Sequence, residues 1–325
     1  METAPHSPQA DKPAGRRWRF EKADAILPAF IVLLVVVVSL IEPRFLSGAN
    51  MANLGTQMAP LMILAVAQAF AVIGGGLDLS LSSVLSLSGV IGVLAIPFVG
   101  IGGGVVLMPL VGLAIGLMSG AIIAYLRTSP LIVTLGMASV AQAFALILAN
   151  GVPIYDVPPV LVEKIGFGTL WGIPVTTTIA FAVLLASAFV LKRTIFGRYV
   201  YAIGSNRSAT TKSGVDVSFT TMLVYGLSGL IAGIGAIVVT SWVSAAQPTA
   251  EPALTLQSIA AVVLGGVALT GGSGGMLHVF YGVLILGMLS NAMNMIGISS
   301  YYQILAVGIV IIVAVVIDRL RRGDG

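Results

Sequence analysis

The hydrophobic positions of this chain form long, continuous runs, without the alternating or one-sided patterns of a soluble fold. A lipid hydrocarbon core of about 30 Å requires about 20 consecutive apolar residues in a helix. Because the runs are continuous, they favour membrane helices over a membrane β-barrel. On this scale the sequence predicts about ten transmembrane helices, near residues 24–41, 54–73, 79–98, 102–125, 131–150, 175–191, 219–244, 256–270, 276–296 and 301–317.

The composition agrees with a chain that is embedded in a lipid bilayer. Of the 325 residues, 58% are hydrophobic and 9% are charged, whereas soluble domains carry about 25% charged residues. The 39 glycines suit close packing of membrane helices. There is no cysteine, and the two histidines lack ligand-like spacing, so neither a metal site nor a cofactor is expected. The sequence therefore predicts an all-α integral membrane protein.

The basic residues indicate how the helices are oriented. With the N-terminus in the cytoplasm, fourteen of the sixteen Lys and Arg residues fall on the cytoplasmic side, and only Arg44 and Lys164 lie outside. This distribution satisfies the positive-inside rule and places both termini in the cytoplasm. The net charge of +4 is therefore interpreted as a topology signal, and no nucleic-acid partner is expected.

The same pattern divides the chain. We expect a disordered cytoplasmic tail at 1–23, a transmembrane domain at 24–318 and a second cytoplasmic tail at 319–325. An exterior segment at 152–174 and a long cytoplasmic loop at 192–218 interrupt the helices. Four predicted helices of one block precede the exterior segment and four of opposite direction follow the loop, which is typical of inverted-repeat halves.

Two glycine-rich segments interrupt the apolar runs. In the first, Gly75, Gly76, Asp78 and Ser80 form a motif whose glycines break a helix and whose acid is costly in lipid unless it is solvated, paired or capping. Capping and packing is the favoured interpretation, and a direct substrate or proton role stays open. The second segment, 264–275, lacks the Lys-Ser/Thr of a phosphate-binding loop, so it predicts a tight reversal and no ATP hydrolysis by this chain.

Amide side chains inside the predicted helices are the candidate pathway for a solute. Amides both donate and accept hydrogen bonds, which suits a neutral polyhydroxylated molecule. For each residue the alternative is hydrogen bonding between helices. The scarcity of charge inside the helices argues against an ion-coupled carrier. The candidates are Gln57, Gln68, Gln142, Asn150, Asn291, Asn294 and Gln303.

The loop at 192–218 is longer and more basic than a simple connection requires. A short helix is predicted from Asn206 to Ser213, with Asn206 capping its start and Gly214 ending it in the left-handed conformation. The loop is interpreted as a docking element for a cytoplasmic partner. A positively charged retention loop beside anionic lipid is the alternative.

A series of motifs in order along residues 50–322 resembles the ribose/xylose/galactose-type ABC transporter permeases. The segment Gly74–Ser80 is similar to the family's GGIDLS motif and Thr134–Ser139 to its TLGM segment. Gly197–Gly204 resembles the cytoplasmic loop, and Ile259–Gly272 the C-terminal motif. Asn291 and Asn294 fit the NxxN of the next helix, and Asp318–Leu320 fits the closing segment.

This resemblance implies a dimer of permease subunits, with a second copy that is identical or closely related, bound to two ATPase subunits and fed by a periplasmic sugar-binding protein. The exterior segment would meet the binding protein, or is an ordinary solvated loop. The family's loop carries a Glu-Ala-Ala pattern followed by Gly, which here reads Ser208-Ala209-Thr210 and Gly214. The residues assigned to ATPase coupling are Gly197, Arg198, Gly204, Asn206, Ser208, Ala209, Thr210 and Gly214.

The predicted function is the permease subunit of a bacterial ABC importer in the inner membrane, which translocates a monosaccharide or related polyol. An ion-coupled secondary carrier, with Asp78 as its coupling acid, is the alternative. An intramembrane enzyme is not expected, since no paired carboxylates, histidine cluster or nucleophile–base spacing is present.

Overall fold

The computed structural model describes residues 26–249, 252–299, 301–306, 308–309 and 312. Both predicted tails, and much of the helix predicted at 301–317, lie outside these residues. The helices are α1 (Ile26–Ile41), α2 (Gly48–Ile73), α3 (Leu81–Tyr125), α4 (Pro130–Leu148), α5 (Pro159–Leu161), α6 (Val175–Arg193), α7 (Ile195–Ser205), α8 (Arg207–Lys212), α9 (Val217–Val243), α10 (Pro252–Leu264) and α11 (Met276–Met295).

Helix α3 is a hairpin of two helical arms. Its 45 residues are interrupted at Gly100, whose φ of 74° and ψ of 171° lie in a region that only glycine adopts readily. A straight helix would separate positions 92 and 108 by about 24 Å. Instead, a Cβ on Gly92 would lie 2.9 Å from the carbonyl oxygen of Gly104 and 2.7 Å from Cε of Met108. The two helices predicted at 79–98 and 102–125 are therefore separate arms.

The second arm of α3 packs against α9 through glycines on both helices. A Cβ at Gly112 would overlap the carbonyl oxygen of Gly229, and one at Gly116 would overlap that of Tyr225. A Cβ at Gly233 would in turn overlap the carbonyl oxygen of Met108. Small residues four positions apart let membrane helices approach closely. This antiparallel contact forms the centre of the bundle.

Six of the described helices are long and apolar enough to cross a membrane, namely α2, α3, α4, α6, α9 and α11. Large apolar side chains are exposed around the bundle: Leu40 is 80% exposed, Phe98 87% and Ile132 70%. A surface of this kind suits a lipid solvent.

Helix α10 differs from its prediction. The sequence predicted a span at 256–270, but the helix runs over only 13 residues, Pro252–Leu264. Gly265 and Gly266 end it, and Gly266 adopts a left-handed φ of 91°. The segment 265–275 that follows is irregular and lies between α10 and α11, as the prediction of a reversal required.

The segment at 152–174, predicted to be exterior, carries local structure that the all-α prediction did not include. A π-helical turn at Val162–Gly166 is followed by a two-stranded hairpin, β1 (Thr169–Leu170) and β2 (Ile173–Pro174). Trp171 and Gly172 form its turn with positive φ values of 52° and 82°, the conformation that two-residue hairpins favour. Ile154 also pairs with Ala246 through two backbone hydrogen bonds of 3.0 and 2.9 Å.

Candidate functional site

Three glycine-rich segments that are distant in sequence meet at one point. A Cβ at Gly271 would lie 2.8 Å from the α-carbon of Gly75 and 2.9 Å from that of Gly204. We call these three residues the glycine junction. The backbone amide of Gly272 also donates to the carbonyl oxygen of Ile73 at 2.8 Å. The end of α2, the end of α7 and the segment 265–275 are therefore in direct backbone contact.

Glycine is required at position 204 by the closeness of this contact. A Cβ there would overlap the carbonyl oxygen of Ile73 and the backbone nitrogen of Gly272. One turn earlier, the Tyr201 hydroxyl donates to the carbonyl oxygen of Gly274 at 2.8 Å. Burial raises the pKa of Tyr201, which keeps the hydroxyl protonated as a donor. Helix α7 is thus held against the segment 265–275 at two positions.

Asp78 is buried in the irregular segment between α2 and α3, with only 2% of its surface exposed. Its Oδ1 accepts from the Ser80 backbone amide at 3.0 Å and from the Ser80 hydroxyl at 2.6 Å. Its Oδ2 accepts from the Ser228 hydroxyl of α9 at 3.3 Å. Ser80 is the N-cap residue of α3, but its hydroxyl makes no cap bond. Asp78 thus holds the turn that precedes α3 through the Ser80 amide, whereas the amide of Ser82 in the first turn of α3 donates to Thr255 Oγ1 at 3.1 Å.

Gln68 holds the backbone of the same segment. With its amide oriented to match its neighbours, Gln68 donates to the carbonyl oxygen of Asp78 at 2.8 Å and accepts from the Asp78 amide at 3.2 Å. Gln68 is completely buried. Its polar atoms therefore satisfy a backbone that has left regular helical structure inside the bundle. Gly76 in the same segment is also closely packed, since a Cβ there would overlap the Tyr225 hydroxyl.

The loop at 192–218 folds into two short helices. The Thr194 side chain caps α7 by accepting from the amide of the buried Gly197 at 3.1 Å. Asn206 caps α8 by accepting from the Ala209 amide at 2.9 Å. Gly214 follows α8 with a left-handed φ of 83°. The predicted short helix, its cap and its end are all confirmed.

The residues around α8 divide into an exposed and a buried set. Ser208 and Ala209 are exposed, as is Arg198 on α7. Thr210 is buried, and its hydroxyl donates to the carbonyl oxygen of Asn206 at 2.8 Å. Of the two positions altered from the family pattern, Ser208 therefore faces outward, where a partner could contact it, whereas Thr210 faces the protein interior.

Several predicted pathway amides are hydrogen bonded to other side chains or exposed at the ends of helices. Asn291 is buried and exchanges two hydrogen bonds with Asn50, which the sequence analysis had not selected. Asn294 is exposed in the last turn of α11. Its side-chain oxygen accepts a hydrogen bond of 2.6 Å from Gln303, which lies beyond the end of that helix. Asn150 is exposed after α4, with a left-handed φ of 52°, a conformation that Asn tolerates well.

Two predicted amides line cavities. Gln57 borders a cavity of about 290 Å³ between α2, α3 and the end of α9, together with Ser82, Ser86, Trp242 and Gln247. Gln142 borders a neighbouring cavity of about 340 Å³ between α3, α4 and α10. The Gln142 amide also donates to the carbonyl oxygen of Pro248. The structure thus separates these two amides from the other five.

Trp242 and Gln247 are residues that the sequence analysis missed. Trp242 lies in the last turn of α9, and Gln247 lies in the segment 244–249 after it, which reads as an ordinary connection. Trp is common at the ends of membrane helices, so its position alone carried no signal. Only the return of the 244–249 segment toward α2 and α3 places them on a cavity.

Comparison with known proteins identifies the family. Residues 50–315 match the family described as "Branched-chain amino acid transport system / permease component". The chain is 37% identical over 302 residues to the ribose import permease protein of Haemophilus influenzae, covering 89% of this chain and 91% of that protein. It is 34% identical to the ribose import permease protein of Escherichia coli, covering 95% and 98% of the two chains.

A third relative is the L-arabinose ABC transporter permease protein of Azospirillum brasilense, 34% identical with 99% of this chain and 96% of that protein covered. No solved structure matches the chain. The relatives are transport subunits and not enzymes. The chain belongs to the monosaccharide-type permease family of ABC importers.

Proposed function

We propose that this protein conducts a neutral monosaccharide or related polyol across the bacterial inner membrane by alternating access, driven by separate ATPase subunits. Relatives named for ribose, L-arabinose and D-allose support a sugar substrate. A periplasmic binding protein would deliver the sugar at the outer face. Closure of the ATPases would then open the permease toward the cytoplasm.

The proposed topology has ten crossings and cytoplasmic termini, with inverted-repeat halves inside a domain at 24–318. The six long apolar helices, the two arms of α3 and the shorter α1 and α10 are compatible with this number. The distribution of basic residues supports the orientation. The proposal includes cytoplasmic tails at 1–23 and 319–325, a periplasmic segment at 152–174 and a second, identical permease copy.

The loop at 192–218 is the proposed contact with the ATPase. Residues of α8 and of the chain that follows it line a cavity of about 720 Å³ that also reaches the start of α4, with Arg127, Arg207 and Asp216 among them. The exposed Ser208 and Ala209 lie on this short helix. A partner that inserts here would displace α8 and, through Asn206, the end of α7.

The observation that carries the proposal is the contact of Gly204 with Gly75 and Gly271 in the glycine junction. Gly204 lies in the last turn of α7, next to the proposed docking helix, and touches the irregular segments at 74–80 and 265–275. These segments interrupt the apolar runs between α2 and α3 and between α10 and α11, so they join the helices of the bundle at the ends nearest the proposed docking helix. Movement of α7 would therefore reach both interruptions without any intervening side chain.

An ion-coupled carrier is less well supported. Asp78 would be its coupling acid, but both carboxylate oxygens accept hydrogen bonds from Ser80 and Ser228. No group of three or more acids and histidines that could hold a metal ion occurs among the described residues.

The test is a substitution at the junction in the complete transporter, reconstituted with its ATPase and binding protein. In Gly204→Ala, the added methyl overlaps the Ile73 carbonyl oxygen, so we expect uptake of labelled ribose, arabinose or allose to fall by about tenfold or more while the complex still assembles. Gly136→Ala is the matched control, since a Cβ there meets nothing within 4 Å. Normal sugar-stimulated ATPase activity and uptake in Gly204→Ala would refute the coupling route.

A further inference from the structure

The cavity of about 290 Å³ beside Gln57 has the chemistry of a small binding site. Most of its polar groups come from side chains with free hydrogen-bonding capacity. Within the described part of the chain, the side chains of Gln57, Ser86, Trp242 and Gln247 make no hydrogen bond. Amides and hydroxyls of this kind match the hydroxyl groups of a polyhydroxylated solute, which both donate and accept.

The lining of this cavity contains no ionisable side chain. A charged solute would leave water here without a partner, at a large cost in free energy. The lining instead combines one indole ring with apolar and uncharged polar groups, the usual composition of a small-molecule site. Its volume lies near the lower end of the range of about 300–1,000 Å³ for ligand pockets, which suits a solute of monosaccharide size.

The family description names branched-chain amino acids, whereas the relatives are named for sugars. The lining of the cavity distinguishes between these two classes of solute. An amino acid would bring a carboxylate and an ammonium group. The start of α3 could receive a carboxylate through free backbone amides, but the Ser82 amide already donates to Thr255 Oγ1 at 3.1 Å. The Thr255 hydroxyl donates in turn to Ser82 Oγ at 2.8 Å. The cavity therefore favours a neutral solute over a zwitterion.

The exterior segment is attached directly to the wall of the cavity. Ala246, next to Gln247, pairs with Ile154 through two backbone hydrogen bonds. On the other side, Pro248 accepts from the Gln142 amide. Gly166 packs against α9 so closely that a Cβ would lie 3.2 Å from the α-carbon of Trp242. The segment proposed to dock the binding protein thus packs against the backbone at Trp242 and next to Gln247.

We propose that this cavity is the intramembrane binding site for the transported sugar, with Trp242 against an apolar face of the ring and Gln57 and Gln247 hydrogen bonding to its hydroxyls. This inference rests on the proposed function of sugar import. The site lies below the exterior segment, so it receives the sugar directly after release from the binding protein. Gly89 borders the same cavity, and a Cβ there would lie 2.8 Å from Thr240 Oγ1.

The chain contains no cysteine, so a single introduced thiol reports on one position. Gln247→Cys, in the transporter reconstituted with its ATPase and binding protein, is treated with a small polar thiol reagent. We expect the transported sugar, chosen from D-ribose, L-arabinose and D-allose, to slow this reaction several-fold, and L-leucine to leave it unchanged. Gln257→Cys on α10, which does not line the cavity, should show no protection.

Transport provides the second measurement. Gln247→Ala should lower sugar uptake by about fivefold or more, as expected for the loss of a hydrogen bond to the solute in a desolvated site. Trp242→Phe should retain more uptake than Trp242→Ala, since it keeps an aromatic face. Gln257→Ala, the same substitution outside the cavity, should transport at the wild-type rate. Assembly with the ATPase is checked in each variant by copurification.

The outcomes separate the two proposals. If the wild-type complex imports a sugar, but Gln247→Ala transports normally and Gln247→Cys is not protected, the site is wrong and the proposed function stands. If the wild-type complex imports leucine and none of the three sugars, the proposed function is wrong and the site falls with it. Protection together with reduced uptake supports both.

Discussion

The side chains of Asn50 and Asn291 exchange two hydrogen bonds across 241 positions of the chain, one of 3.0 Å and one of 3.1 Å. Asn50 also donates to the carbonyl oxygen of Phe45 at 2.8 Å. Both residues are buried. The pair joins the beginning of α2 to the end of α11, and every polar atom of the Asn50 amide group has a partner.

The stability losses from removing the two members of this pair should be less than additive. Asn291→Ala leaves the Asn50 amide buried with an unpaired donor and acceptor, at a cost of about 1–3 kcal/mol. The double variant Asn50→Ala/Asn291→Ala leaves no such group between the helices. Thermal unfolding of the purified protein in detergent should therefore give a double-mutant loss smaller than the sum of the single losses. Additive losses would show that the two amides do not interact.

Gly112→Ala should destabilise the centre of the bundle. The added methyl overlaps the Gly229 carbonyl oxygen, and separating α3 from α9 costs about 1–3 kcal/mol. Gly102→Ala on the same helix is the control, because a Cβ there meets nothing within 4 Å and alanine favours helix by about 1 kcal/mol. The apparent Tm in detergent should fall for the first and not for the second. Equal Tm values would contradict close packing at Gly112.

Asp78→Asn should preserve most sugar uptake. The asparagine side chain retains an oxygen that can accept from Ser80, whereas Asp78→Ala leaves the Ser80 amide and hydroxyl without this acceptor. The Ser228 hydroxyl keeps the Ala67 carbonyl oxygen as an acceptor in both variants. We therefore expect Asp78→Ala to lower the Tm by more than Asp78→Asn, in keeping with about 1–3 kcal/mol for an unsatisfied buried group. ATP-driven uptake into proteoliposomes should also be insensitive to collapse of the proton gradient. Loss of uptake in a stable Asp78→Asn variant, with sensitivity to that gradient, would favour the ion-coupled carrier.

Local features were predicted well where residues close together in sequence determine them. Asn206 and Gly214 bound α8 as expected, because a cap and a left-handed glycine act on their own neighbours. The break after Ile73 followed from three consecutive glycines. The end of α10 was placed six residues too late, since hydrophobicity continues through Val267 and Leu269 although Gly265 and Gly266 have already ended the helix.

Partners distant in sequence could not be predicted in the same way. Gln68 and Asn291 carry the same amide group as Gln57, and nothing in their local sequence distinguishes an amide that holds the backbone of Asp78 from one that faces a cavity. Asn50 was overlooked because its partner lies 241 positions away. Gln247 was overlooked because a polar residue after a helix normally meets water.

The sequence alone determined that the chain lives in lipid and that its helices break at glycines, because hydropathy and backbone freedom are properties of local residues. The order of its motifs determined the family. Only the tertiary structure decided that Gly75, Gly204 and Gly271 meet, and which of the candidate amides border a cavity. Such contacts depend on how the helices pack against one another. Packing brings together residues that are far apart in the sequence, and their sequence separation does not indicate their distance in space.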